Sequence, residues 1–243
     1  MRYLYLLFLL PTIAMAQDIA PLAADRPDQT ETPYLVPKGM FQMENGFSME
    51  KDGNRSWALP SSLLKYGLND AFELRLIVTY VVDEADGTET SGFEPIRVGM
   101  KVKICEEAGW IPKTSLIGHM LVPDAASSDY RADYYASQFR FVMQHTLTDK
   151  LSLSYNLGAE WDGITPDATF IYTLTTGFSL TEKWGAYAEL FGFAPENDSA
   201  AHSFDGGFTY LVNNDTMLDI SSGFGITENA PDYYIALGFS FRL

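Results

Sequence analysis

Cysteine is nearly missing from this sequence: Cys105 is the only one in 243 residues. No disulfide can form within the chain and no cysteine-built zinc site can either, so Cys105 reads as an ordinary turn residue. Bases are scarce as well. Sixteen Lys and Arg stand against thirty-two Asp and Glu, a formal charge of −16. With no basic stripe to neutralise phosphates, nucleic acid is excluded as a partner. Only three histidines are present, His119, His145 and His202. Ser137, Thr148 and Ser152 lie within several residues of His145 but stand in no arrangement that aims a base at a nucleophile, so no catalytic residue and no enzyme is expected. The acidic stretch DEADGTE (83–89) lacks the spaced oxygen ligands of a dedicated calcium loop, so neither a metal nor a cofactor is expected. Long apolar runs are absent too. None approaches the roughly 18 residues a membrane helix needs.

What is present begins with an export pattern. Arg2, an apolar stretch from Tyr3 to Leu10 and the small-residue site Ala14-Met15-Ala16 predict a signal peptide over 1–16. Residues 17–38 hold Pro21, Pro27, Pro33 and Pro37 with little periodicity, which predicts an extended periplasmic segment outside any sheet.

From Met40 onward the apolar period is two. Candidate strands are 40–50, 60–68, 71–82, 95–104, 112–122, 134–146, 150–161, 168–180, 183–193, 203–213, 216–227 and 232–242. Tight polar turns (GLND, TLTDK, LTEK, VNND) alternate with longer acidic connections at 83–94, 122–133, 194–202 and 227–232. Only CEEAGWIPK (105–113) puts a long connection where a tight turn is due. Aromatic residues of the apolar face gather at strand ends: Phe41, Tyr66, Phe72, Trp184 and Tyr210 by the tight turns, Tyr80, Tyr135, Phe170 and Tyr233 by the longer ones. Two aromatic girdles with aliphatic residues between them are what a bilayer selects, and unequal loops are what an outer-membrane barrel shows. The fold class is therefore all-β, a closed antiparallel transmembrane β-barrel of about 12 strands over 39–243.

Such a barrel sits in the outer membrane with membrane lipid around it and both termini in the periplasm. The chain ends YYIALGFSFRL, alternating to the terminus, because the last strand must pair with the first. That end resembles the C-terminal signal read by the barrel-assembly machinery, with Phe241 third from the end and Leu243 last.

Parity also sorts the lumen. Lys65, Arg75, Arg97, Lys101, Lys103 and Arg140 form a candidate basic wall; Glu160, Glu189, Asp205 and Asp219 form a candidate acidic wall facing it. Opposed walls would set a field across a conducting lumen, or pair and close it. Tyr187 and Phe191 share the lumen parity and make a candidate shelf for an aromatic solute. The segment DRPDQTETP could enter the barrel and gate it through Arg26 or Asp28, or serve as a plain tether.

The string Asp25-Arg26-Pro27-Asp28-Gln29-Thr30-Glu31-Thr32-Pro33, followed by Val36-Pro37-Lys38-Gly39 and Phe41-Gln42-Met43-Glu44, is the most specific here. It resembles the start of the bacterial outer-membrane family labelled "putative MetA-pathway of phenol degradation", whose members are called transporters. The likeness continues at LLKYGLNDAFELRL (63–76), VGMKVKI (98–104) and YAELFG (187–192). The resemblance implies a barrel that passes small hydrophobic or aromatic compounds. The expected function is thus a passive, porin-like channel for a small-molecule solute; the alternative is a plugged structural or interaction barrel.

Overall fold

The computed structural model describes residues 19–243, so the expected signal peptide lies outside the described residues. Thirteen antiparallel strands follow one another in chain order: β1 (Phe41–Asp52), β2 (Asn54–Asn69), β3 (Phe72–Ala85), β4 (Thr88–Phe93), β5 (Ile96–Cys105), β6 (Lys113–Val122), β7 (Ala136–Thr148), β8 (Leu151–Glu160), β9 (Thr169–Ser179), β10 (Trp184–Pro195), β11 (Ala201–Asn213), β12 (Thr216–Gly225) and β13 (Tyr233–Arg242). β4 pairs with the far half of β3 (Tyr80↔Phe93) and β5 with the near half (Phe72↔Val102), so the two share one place in the wall. The chain breaks between them at Glu94-Pro95, where proline removes a ladder donor. The wall is a closed twelve-stranded barrel. β1 joins β13 from Gln42↔Arg242 to Lys51↔Tyr233, which closes the ring.

Two connections differ from the sequence expectation. The acidic stretch 83–94 is not a loop but a hairpin that carries β3 and β4 beyond the barrel. Asp86 and Gly87 both have positive φ (51° and 77°), the geometry of a two-residue hairpin turn whose Asp-Gly signature is in the sequence. β2 begins at Asn54 rather than at residue 60, because Gly53 (φ 60°) turns the chain directly from Asp52 to Asn54. At the other end, side chains lock the short turns. Asn69, Thr148, Thr181 and Asn213 each accept hydrogen bonds from backbone N–H groups two or three residues on.

Burial is inverted relative to a soluble protein. Outward-facing Leu74, Met100, Phe141, Leu157, Leu174, Leu190, Leu218, Ile220 and Leu237 are each 39–55% exposed. Inside, Lys65, Lys101, Gln42, Glu44, Glu73, Glu189, Asn156 and Asp205 are fully buried. A continuous apolar belt around a polar interior is stable only with hydrocarbon outside. Among the described residues no helix is long and apolar enough to cross a membrane, so crossing falls to the strands.

Candidate functional site: a lumen filled by the N-terminal segment

Residues 19–38 do not hang outside the barrel. They enter at the short-turn end, rise to an apex near Arg26–Gln29, and return to the same end before β1. The entry is sealed by Leu22, Ala24 and Met217 packing together and by Leu22 N–H bonding to the Asn214 carbonyl at 2.8 Å. The exit is fixed by the Val36 amide on Glu73 at 2.7 Å and by the Gly39 amide on the Gly67 carbonyl at 2.7 Å. The sequence left entry into the barrel and a plain tether both open; residues 19–38 enter, outside any strand, and the reason is charge matching. The lumen wall buries cations that need partners, and this segment carries the carboxylates.

Asp25 is the centre of that match. Its carboxylate accepts from Lys65 (2.9 Å, β2), Arg75 (2.8 Å, β3) and Lys101 (2.8 and 3.0 Å, β5), and its Oδ1 also accepts from the Thr32 amide at 2.9 Å. Burial opposes its charge, but Lys101, Lys65 and Arg75 outweigh burial and hold the carboxyl well below the usual range. Glu31 adds a second ion pair to Arg75 at 2.5 Å. On the opposite side Arg26 pairs with Asp219 of β12 at 3.1 Å.

Hydrogen bonds complete the clasp. Asn156 of β8 grips the Glu31 backbone through both amide atoms, accepting at 2.8 Å and donating at 3.0 Å. Glu189 of β10 accepts from the Gln29 amide at 2.7 Å and from Thr175 at 2.8 Å, and Thr30 bridges it to Thr173 of β9. Ser115 holds the Pro33 carbonyl (2.8 Å), Arg140 that of Gln29 (3.1 Å), Gln42 that of Ala23 (2.9 Å) and Arg242 that of Ala20 (2.9 Å). Asp28 pairs with no cation among the described residues; burial, then Glu189 and Asp205, push its carboxyl well above the usual range.

The predicted wall residues fall into three groups. Lys65, Arg75, Lys101 and Arg140 are buried on one side of the segment, and Glu189, Asp205 and Asp219 on the other. Arg97 and Glu160 instead line a common cavity of about 120 Å³ near the long-loop end with His119 and Gln138, and Gln138 donates to Glu160 at 2.6 Å. Lys103 sits at the short-turn end, pairing with Glu106 at 3.1 Å. The basic side also holds Glu44 and Glu73, which contact Lys65 and Arg75, so it is a neutralised network rather than a bare cationic wall. Both acids share the strand parity of the bases they meet. Tyr187 and Phe191 do not act together as one shelf: the Tyr187 hydroxyl donates to Asp205 at 3.1 Å, while Phe191 faces a separate vestibule. The histidines are dispersed, His119 on Arg75 and Gln138, His145 beside Tyr155, His202 against Tyr172.

Above the segment, toward the long loops, that vestibule encloses about 360 Å³. Its floor is Arg26, Pro27 and Gln29; its walls include Phe191, Phe193, Tyr234, Ala236, Ser203 and Glu50. A barrel filled by its own N-terminal stretch thus combines the DRPDQTET string with lumen positions spread around the wall. The family model described as "Putative MetA-pathway of phenol degradation" matches residues 24–243, from just inside that stretch to the last residue. The chain belongs to this family.

No curated protein sequence matches the chain. Among solved structures it is similar to an outer membrane channel from Pseudomonas putida F1, with TM-score 0.69 and 12% identity over 86% of this chain and 97% of that one. The KdgM porin gives TM-score 0.55 and 10% identity over 82% and 98%. The NanC porin gives TM-score 0.55 and 10% identity over 84% and 100%. At such identities the likeness is one of fold: an outer-membrane β-barrel.

Proposed function

We propose that this family member is a passive outer-membrane channel for small solutes, closed in the conformation described here by its own residues 19–38. The observation that carries the reading is the way those residues fill the lumen. They add no strand to the wall, and side chains hold them on both flanks, so their withdrawal would leave the twelve-stranded ring intact. A barrel that needed filling only for stability could use bulky wall side chains. Instead the wall has Gly46 and Gly238 where the segment passes. The short turns then face the periplasm with both termini, and the acidic long loops face outward. The family description and the aromatic vestibule support a small, apolar or aromatic solute. The reading is non-enzymatic.

One observation favours the rival reading of a permanently plugged barrel: Asp25 meets three buried cations at once, a strong anchor. Planar-bilayer recording of the folded protein with and without residues 19–33 separates the two. A channel gives rare openings in the intact protein and steady, stepwise conductance in the shortened one. A shortened barrel that is folded yet silent would refute the channel.

A further inference from the structure

The closing strands contain a socket whose shape is cut for a planar cation. Gly46 of β1 lies directly opposite Gly238 of β13, and Gly238 directly opposite Asp219 of β12. A side chain at either glycine would collide with the Arg26 guanidinium; a Cβ at Gly238 would stand 2.5 Å from Nε and 2.7 Å from Nη2. Glycine at these two positions leaves the guanidinium its place, and a larger residue would have to push it aside. The row Asp219–Gly238–Gly46 forms a flat notch with a carboxylate at one end.

Arg26 does not use all that the notch offers. Its Nη2 donates to Asp219 Oδ1 at 3.1 Å and to the Leu237 carbonyl at 3.3 Å, a single-pronged grip. Asp219 is 6% exposed, and neither its Oδ2 nor the Arg26 Nε in the same notch has a hydrogen-bond partner among the described residues. That oxygen points into the notch, 2.6 Å from where a Gly238 Cβ would be. A buried carboxylate oxygen without a donor is costly, and a planar cation offering two parallel N–H groups would satisfy it. Arg26 also forms the vestibule floor, so a solute in the vestibule meets the notch as soon as that one side chain swings aside.

The surroundings favour a cation. The two loops above the vestibule, 195–201 and 225–233, carry Glu196, Asp198, Glu228 and Asp232 and no Lys or Arg; Lys51 at the tip of β1 reaches Asp232 only at 4.0 Å. Such a mouth concentrates cations. Beneath it Phe191, Phe193 and Tyr234 line the cavity, with Glu50 as a further anion. Aromatic faces attract organic cations and accept flat apolar bodies. We propose that the vestibule and the Asp219–Gly238–Gly46 notch bind a small aromatic or apolar solute bearing a guanidinium or amidinium group, which competes with Arg26 for Asp219. The assignment takes the lumen to be a solute path, as proposed above, and its binding readout stands apart from conduction.

Benzamidine is the probe, and isothermal titration of the full mature barrel in detergent is the measurement. Because Arg26 is an internal competitor, Arg26→Gln should bind benzamidine more tightly than the wild type, by about tenfold or more if the notch is mostly occupied. A gain of affinity cannot come from misfolding. Asp219→Asn and Gly238→Ala, introduced into the Arg26→Gln background, should each reverse the gain, and benzoate should bind none of the proteins. Equal affinity in wild type and Arg26→Gln, no benzamidine binding at all, or preference for benzoate would each overturn the proposal. Tighter binding by Arg26→Gln in a barrel that never conducts would leave the notch standing and refute only the channel.

Discussion

Replacing Asp25 by Asn isolates the electrostatic anchor of the filling segment. The substitution keeps an oxygen that can accept but removes the charge that three buried cations share, Lys65, Arg75 and Lys101, each no more than 1% exposed at the side chain. Only interactions that differ between the closed and open states shift the gate. Glu44 and Glu73 belong to the wall and stay with Lys65 and Arg75 in both states; Asp25 is present only in the closed one. Removing one partner of a buried ion pair costs about 3–5 kcal/mol. At about 1.4 kcal/mol per factor of ten, the open-to-closed ratio should rise by between roughly two and three and a half powers of ten. Single-channel recording would register this as a change from rare to frequent openings, in protein whose folding is checked by circular dichroism and by its mobility before and after heating. A folded Asp25→Asn barrel with unchanged open probability, beside a deletion of 19–33 that conducts steadily, would refute the claim that Asp25 anchors the segment.

Other perturbations test neighbouring parts of the argument. The Asp28 carboxyl is raised by burial, Glu189 and Asp205, so the closed state binds its proton more tightly than the open one. Its contribution to closure is complete below the ordinary Asp range and lost as pH rises through the raised value. Open probability should therefore climb with pH above about 4, and Asp28→Asn should flatten that climb; an unchanged profile in the variant would assign it elsewhere. Asp25 has the opposite sign, since its carboxyl is held low, so its anchoring fails only as the pH falls below the ordinary range. Gly238→Ala should dislodge Arg26 and raise open probability as Arg26→Ala does. The double variant should add nothing, because both act on one contact, and full additivity would show them independent. On the outer belt, Ile220→Arg should lower stability in lipid by about 2–4 kcal/mol, measured by reversible urea unfolding, if that position faces the bilayer midplane. A change near zero would place it in water. In the barrel lacking 19–33, Arg97→Glu should move the reversal potential toward cation selectivity, since Arg97 lines the upper lumen.

The sequence by itself determined the wall. Period-two alternation assigns each side chain to lipid or lumen, and twelve stretches bounded by turn residues leave closure as the way to satisfy their backbone in a membrane. That reasoning works because strand geometry and hydropathy are local: Leu74 and Arg75 need no knowledge of the rest of the chain to face opposite ways. It fell short where turn chemistry extends a strand, as at Asp86-Gly87, and where parity alone assigned charges to walls, as with Glu160 beside Arg97. Partners were the larger gap. Parity put Lys65, Arg75 and Lys101 inside, yet their shared partner, Asp25, lies 40, 50 and 76 residues away in a segment with no periodicity. The charged string DRPDQTET raised the idea of entry and named Arg26 and Asp28 as its means, but the strongest contacts belong to Asp25 and Glu31. The notch is still less visible in sequence, because Gly46, Gly238 and Asp219 become neighbours only when β1 and β12 flank β13. Those juxtapositions belong to the tertiary structure, since ion pairs and close approaches depend on distance through space, which ring closure sets and sequence separation does not.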